Sequence, residues 1–148
     1  MDLAKLAADL RGYEGVLRKK GIGSITSALG MDVAPDDDAA VVELDSKTLL
    51  LACDSINEGL IEADPYFAGY SAVLVNVNDI AAMGGKPVAL LDVLSSKDER
   101  AAQMIARGVG DAARKFAVPV VGGHFNPNSS CNGVVVSILG EAGRGNIL

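Results

Sequence analysis

Hydrophobic and polar positions follow two periods along this chain, one typical of helices and the other of strands. Leucines three and four residues apart near the N-terminus predict a short amphipathic helix. Apolar runs bounded by glycine, proline and aspartate predict strands. The predicted elements are a helix at 2–11, a helical turn at 24–29, strands at 40–44 and 48–53, a helix at 65–83, a strand at 86–94, a helix ending at Phe116, and strands at 118–123 and 133–142.

Start and stop signals bound the two long helices. Asp64 before Pro65 is typical of a helix start, because aspartate accepts hydrogen bonds from free N–H groups and proline is tolerated in the first turn. The glycine pair after Met83 predicts the end of that helix. Ser96 and Glu99 form the S-x-x-E pattern of a capping box, which predicts the start of the next helix.

The order of these elements is β-β-α-β-α-β-β after a helical N-terminal segment. The central β-α-β unit is expected to cross over with parallel strands, whereas the flanking strands can pair antiparallel. We therefore predict an α+β fold, a mixed sheet with helices on one face. A chain of 148 residues offers no second helix layer, so a partner subunit or a second domain is expected to cover the other face.

Composition limits the classes of function. Hydrophobic residues make up 49% of the chain and charged residues 22%, which predicts a folded domain. The net charge of -6 argues against a nucleic acid or an anionic membrane as partner. Cys53 and Cys131 lie far apart without a CxxC motif, so we expect reduced thiols in a cytoplasmic protein. The sequence predicts no signal peptide and no membrane span.

Asp79 lies near the predicted end of a helix, where free carbonyl groups disfavour an anion. Helical spacing places Asn76 and Asp79 on a face that otherwise carries the small residues Ala68 and Ala72. Such a face allows a ligand or another backbone to approach. Spacing alone leaves two interpretations open, a site that holds a cation or an aspartate that reaches solvent at a frayed helix end.

Further carboxylates stand next to the predicted strands. Asp36, Asp37 and Asp38 precede the first strand, and Asp54 ends the second. Neighbouring carboxylates repel one another, and a cation such as Mg²⁺, which prefers oxygen ligands, relieves the repulsion. An ordinary acidic turn is the alternative for the aspartate run. Asp92 interrupts a later apolar strand, and strand alternation could turn it outward.

The segment VVGGHFNPNSS places Gly122, Gly123 and the single histidine, His124, after an apolar strand. Glycines there let backbone N–H groups approach an anion closely. His124 could contact a phosphate or a metal ion, and a plain surface histidine is the alternative. No Walker A motif, G-x-G-x-x-G loop or Ser-His-Asp order is present.

The only basic cluster in this acidic chain is Arg18, Lys19 and Lys20, next to two glycines. These side chains could close over phosphates, and a solvated basic segment is the alternative.

Four motifs occur in a recognisable order: DDAAVV at 37–42, CDS at 53–55, NVNDIAAMGGKP at 76–87 and VVGGH at 120–124. The long motif around Asp79 is specific, whereas the others are informative as a set. As a set they resemble the N-terminal, ATP-binding domain of the aminoimidazole ribonucleotide (AIR) synthetase superfamily, also called PurM-like, and its synthase-related branch, which includes methanogenesis-marker proteins. The resemblance covers residues 36–142.

The resemblance implies a domain whose sheet pairs with that of a second copy into a barrel across a homodimer. It implies Mg-ATP bound near that interface. The metal ligands would be Asp37, Asp38, Asp54 and Asp79. ATP phosphates would lie near Asn76, Gly122, Gly123, His124, Lys19 and Lys20.

The chain also departs from the family pattern. Asp36 stands where many members have glycine, and His124 where many kinase-like members have aspartate. The N-terminal glycine-rich segment has no cysteine, which argues against selenophosphate synthesis. Residues 1–35 are expected to form a helical, basic segment of the same domain. Residues 143–148 are expected to begin a linker to a second domain, and we expect that the chain is truncated there.

The resulting expectation is an enzyme domain that uses ATP to phosphorylate or activate a small-molecule acceptor. Two alternatives remain open: a non-catalytic dimeric binding module, and a factor that acts on a protein partner, as the hydrogenase maturation factor HypE does.

Overall fold

The computed structural model describes residues 2–31, 37–143 and 147. The chain divides into two compact units, Met1–Asp36 and Asp37–Leu148, called here the N-terminal unit and the sheet unit. In the part of the chain that is described, no helix combines the length and hydrophobicity needed to cross a bilayer.

The N-terminal unit contains short helices. They are α1 (Leu3–Arg11), α2 (Glu14–Leu17), a 3₁₀ turn (Arg18–Gly21) and α3 (Ile22–Ala28). Asp2 caps α1, because its carboxylate accepts hydrogen bonds from the N–H groups of Ala4 and Lys5. None of α1, α2 and α3 buries a side chain. The predicted helices at 2–11 and 24–29 are both confirmed.

The sheet unit has five strands in the order β1-β2-β5-β3-β4. Strands β3 and β4 are parallel, and the pairs β1–β2, β2–β5 and β3–β5 are antiparallel. This mixed sheet confirms the predicted α+β fold. The strands are β1 (Ala40–Glu43), β2 (Thr48–Ser55), β3 (Lys86–Ser95), β4 (Val120–Asn126) and β5 (Gly133–Ala142).

The helices α4 (Glu58–Ala63), α5 (Pro65–Ala82) and α6 (Glu99–Lys115) complete this unit. One face of the sheet and the facing sides of α5 and α6 form the core. Alternation along β5 buries every second residue, as expected for a strand with one covered face. Core side chains that are at most 2% exposed include Leu50, Val73, Ile80, Leu90, Ile105, Val134, Val136 and Ile138.

The opposite face of the sheet is apolar and open to solvent in this chain. Leu51, Leu91 and Val93 are between 42% and 49% exposed. Cys53 lies on the same face, where the hydroxyl of Ser137 donates a hydrogen bond to its sulfur over 3.1 Å. The expectation that one sheet face needs a cover from outside the chain therefore stays open.

The start of α6 differs from the predicted capping box. The N-cap is Asp98, whose carboxylate accepts a hydrogen bond from the N–H of Ala101 over 2.9 Å. The Ser96 hydroxyl instead donates to the Asp98 carbonyl and lies 3.0 Å from Asn132 Oδ1. The predicted S-x-x-E capping box was wrong. The Ser96 hydroxyl is hydrogen-bonded to Asn132, which is distant in sequence, and Asp98 caps the helix.

Candidate functional site

Asp79 lies in the last turn of α5, as the sequence predicts. Asp64 caps the start of this helix through a hydrogen bond from the N–H of Phe67. At its end Gly84 has a positive φ of 73°, and the N–H of Gly85 donates to the Ile80 carbonyl over 2.9 Å. This glycine-based ending stops the helix within one turn after Asp79 and so places the aspartate at the end of the helix.

Two carboxylates, those of Asp54 and Asp38, act on Asp79. Asp54 lies on the helix-facing side of β2, in register with the buried Val136, and within hydrogen-bonding reach of Asp79. Burial makes the largest contribution, and together with the charge of Asp54, a hydrogen bond shared with Asp54 and the charge of Asp38 it raises the pKa of Asp79 to about 6. Ionised Asp79 is therefore disfavoured in the ligand-free protein, and a cation would relieve the repulsion.

Asn76 lies one turn before Asp79 and is completely buried. Its side-chain nitrogen donates to the Ala72 carbonyl over 2.8 Å. Its Oδ1 is the buried side-chain atom found without a partner among the described residues. A buried amide oxygen without a partner costs free energy, so Asn76 Oδ1 is free to accept a hydrogen bond from a group bound beside Asp79.

The carboxylates can be tested against the requirements of Mg²⁺. Within residues 2–31, 37–143 and 147, no group of three or more histidine, cysteine, aspartate or glutamate side chains is arranged to hold a metal ion by itself. Mg²⁺ in nucleotide sites usually takes one or two carboxylates and completes its shell with phosphate oxygens and water. Asp54 and Asp79 fit that smaller requirement.

Other predicted site residues lie elsewhere in the sheet unit. Gly122, Gly123 and His124 belong to the edge strand β4, and His124 Nε2 lies 3.0 Å from Asn126 Oδ1. Strand β4 is three strands from Asp54, or roughly 14 Å at ordinary strand spacing. The chain thus brings Asp54 and Asp79 together, and the charge of Asp38 acts on Asp79, but the glycine segment lies apart from them.

The remaining candidates have no described geometry relative to Asp79. Asp37 lies exposed in the bend before β1. Lys19 and Lys20 are in the 3₁₀ turn of the N-terminal unit, so their role at the phosphates stays a prediction. The prediction for Asp36 and part of the predicted linker at 143–148 lie outside the described residues.

Asp92 was only a weak candidate in the sequence, where alternation could turn it outward. It instead lies between the buried residues Leu90 and Leu94, and it lines a cleft beneath α6. A Cβ atom on Gly123 would overlap the Asp92 carboxylate. The sequence showed an acidic residue inside an apolar strand. It could not show the cleft, because the cleft forms between this strand and α6, and the strand pattern does not say where α6 packs.

Residues 36–142 match the family "AIR synthase related protein, N-terminal domain". The chain belongs to this family, and the resemblance of its motifs to the PurM-like superfamily is confirmed.

Particular relatives agree with this assignment. The chain is 43% identical to an uncharacterized protein of Methanocaldococcus jannaschii, over 100% of this chain and 49% of that protein. It is 30% identical to the thiamine-monophosphate kinase of Archaeoglobus fulgidus, over 97% of this chain and 44% of the kinase. The chain therefore spans about half the length of the curated relatives it matches.

A solved structure has the same fold. The structure of AaThiL complexed with AMPPCP and TMP matches with a TM-score of 0.73 at 32% identity, covering 97% of this chain and 44% of that chain.

Proposed function

We propose that this chain contributes the Mg-ATP-binding half of an enzyme that transfers a phosphoryl group from ATP to a small-molecule acceptor. The carboxylate pair Asp54 and Asp79 carries the proposal, because burial and the charge of Asp54 raise the pKa of Asp79 and a bound cation would offset that repulsion. The kinase relatives and the AMPPCP bound to AaThiL support nucleotide as the ligand class.

Each candidate residue has a proposed role. Asp54 and Asp79 hold the metal, and Asp37 or Asp38 adds charge from the bend before β1. The buried Oδ1 of Asn76 accepts a hydrogen bond from a group bound beside the metal. When bound, Mg²⁺ neutralises charge that develops on the transferred phosphoryl group. Backbone N–H groups of Gly122 and Gly123, with His124, Lys19 and Lys20, are proposed to contact phosphate oxygens.

The first test is a thermal-shift titration of the chain with ATP, with and without Mg²⁺. A ligand at 100 times its dissociation constant adds about 2.7 kcal/mol of stability, which gives a clear increase in melting temperature. We expect the increase only when ATP and Mg²⁺ are both present. Absence of any increase at millimolar Mg-ATP would contradict a working site in this half.

We further propose that the open sheet face joins two copies of the chain into a homodimer. Leu51, Leu91 and Val93 place apolar side chains together on this face, and a two-fold contact would cover them in both copies at once. A dimer of this kind would complete the barrel that the family resemblance implies.

Val93→Glu is therefore expected to convert a dimer into a monomer, because it buries an unpaired charge at the contact. Light scattering measures the mass. Gln103→Glu adds the same charge to α6 on the opposite side of the sheet and is expected to leave the dimer intact. A wild-type chain that is monomeric would exclude this interface.

A further inference from the structure

A cleft of about 200 Å³ opens between α6 and the strands β3, β4 and β5. Its walls are apolar and include Leu94, Ile105, Val109 and Val134, all buried in the core. Asp92 is its one charged lining residue. A single carboxylate among aliphatic side chains is unusual in a cleft wall, because the charged group loses hydration there and gains no partner within the protein.

The backbone fixes the direction of the Asp92 side chain. Asp92 alternates with Leu90 and Leu94 on the helix-facing side of β3, so its carboxylate lies on the same face as the core. Gly123 is its neighbour on β4, and any side chain at that position would collide with the carboxylate. The glycine thus keeps the space around the carboxylate open.

No positive group balances this carboxylate within the described part of the chain. The ion pairs found there join Lys47 to Glu141, Lys97 to Glu62 and Arg114 to Asp111. Burial raises the pKa of Asp92, and the hydrogen bond to its own backbone N–H lowers it, without a contribution from a neighbouring charge. The cleft therefore presents an acceptor whose partner must come from outside.

The cleft is separate from the proposed metal site. Asp54 and Asp92 both pair with Val136 of β5, so they lie two strands apart, roughly 10 Å. Val136 is completely buried between them. A ligand at Asp92 therefore need not contact the carboxylate pair. Gly123 beside Asp92 is also proposed to contact phosphate, so the test below is made without nucleotide.

We infer that this cleft binds a small organic cation, with a primary ammonium group on Asp92 and an apolar body against α6. An apolar cavity of about 150 Å³ holds one benzene molecule, so the cleft accommodates a body of that size. A divalent metal fits poorly, because Mg²⁺ and Ca²⁺ need several oxygen ligands and the walls offer one carboxylate.

The test uses benzylammonium as the probe and the chain as it stands. Titration followed by ¹H–¹⁵N NMR is expected to give saturable shifts in β3, β4 and α6. Benzyl alcohol has the same body without the charge, and its affinity is expected to be at least tenfold lower. Equal binding of the two probes, or no saturable shift with benzylammonium, would overturn the inference.

Two variants address the site directly. Asp92→Asn removes the charge with little change of shape, and Ala106→Leu fills the cleft from the α6 side. Each is expected to weaken benzylammonium binding at least tenfold. Asp45→Asn, in the β1–β2 turn, makes the same charge change elsewhere and is expected to leave binding unchanged. Affinities of the Asp92 and Ala106 variants within twofold of wild type would exclude this cleft.

Discussion

Asp79→Asn is expected to stabilise the ligand-free protein at pH 8 and to abolish its stabilisation by Mg-ATP. The two effects have one cause. The negative charge of Asp79 is disfavoured by burial and by the charges of Asp54 and Asp38 until a cation arrives. Asparagine removes the repulsion, and it also removes a ligand that the proposed metal needs.

The stabilisation depends on pH in a defined direction. The pKa of Asp79 is about 6 in the folded protein and 3.8 in the unfolded chain. Below 3.8 the group is protonated in both states and contributes no difference. As the pH rises from 3.8 to 6 the unfolded chain ionises first, so wild-type stability falls. Above pH 6 Asp79 is ionised in both states, so the loss of wild-type stability no longer changes with pH.

The expected size follows from that difference in pKa. Each unit is worth about 1.4 kcal/mol, and partial exposure of Asp79 reduces the total to about 1–2 kcal/mol. Urea unfolding at pH 4 and pH 8 measures it, with Asp45→Asn as the control for loss of one exposed charge. A variant no more stable than wild type at pH 8 would contradict the repulsion. A retained Mg-dependent thermal shift would remove Asp79 from the site.

Local signals predicted the features that depend on neighbours in sequence. Asp64 and Pro65 start α5 as expected, since a cap needs only the first turn of its own helix. The apolar run at 133–142 likewise predicted β5 with its observed bounds, because a strand signal is local to its own residues. The order of the motifs was sufficient to identify the family.

Features that depend on distant residues could not be predicted in this way. Ser96 was assigned to a capping box, but its hydroxyl donates a hydrogen bond to Oδ1 of Asn132, which directly precedes β5. Asn76 and Asp79 share a helix face, yet Asn76 is completely buried and Asp79 is not. The cleft at Asp92 exists only because α6 lies over β3. In each case the outcome depends on which other element packs against the residue. The spacing of residues along a single helix or strand does not contain that information.

Gly108→Ala is expected to destabilise the sheet unit by about 2–3 kcal/mol, which is typical of overpacking in a tight core. Helices α5 and α6 cross with their backbones in contact at this point. A Cβ atom on Gly108 would overlap the Tyr66 carbonyl oxygen and lie 2.8 Å from the Tyr70 nitrogen. On the other helix, a Cβ atom on Gly69 would overlap the Ile105 carbonyl oxygen. Backbone atoms cannot rotate away, so the helices must separate.

Gly110→Ala, in the same helix, is the matched control. Among the described residues, the one atom within 4 Å of its added Cβ is the end of the flexible Arg114 side chain, at 3.4 Å. Alanine there is expected to stabilise the protein by about 0.5–1 kcal/mol, because glycine is a poor helix former. Urea denaturation measures the free energy of unfolding of both variants. Both gain helix propensity from alanine, but only Gly108→Ala brings a Cβ atom against the backbone of α5, so the difference between them reports packing. Equal stabilities of the two variants would show that the helices do not cross at Gly108.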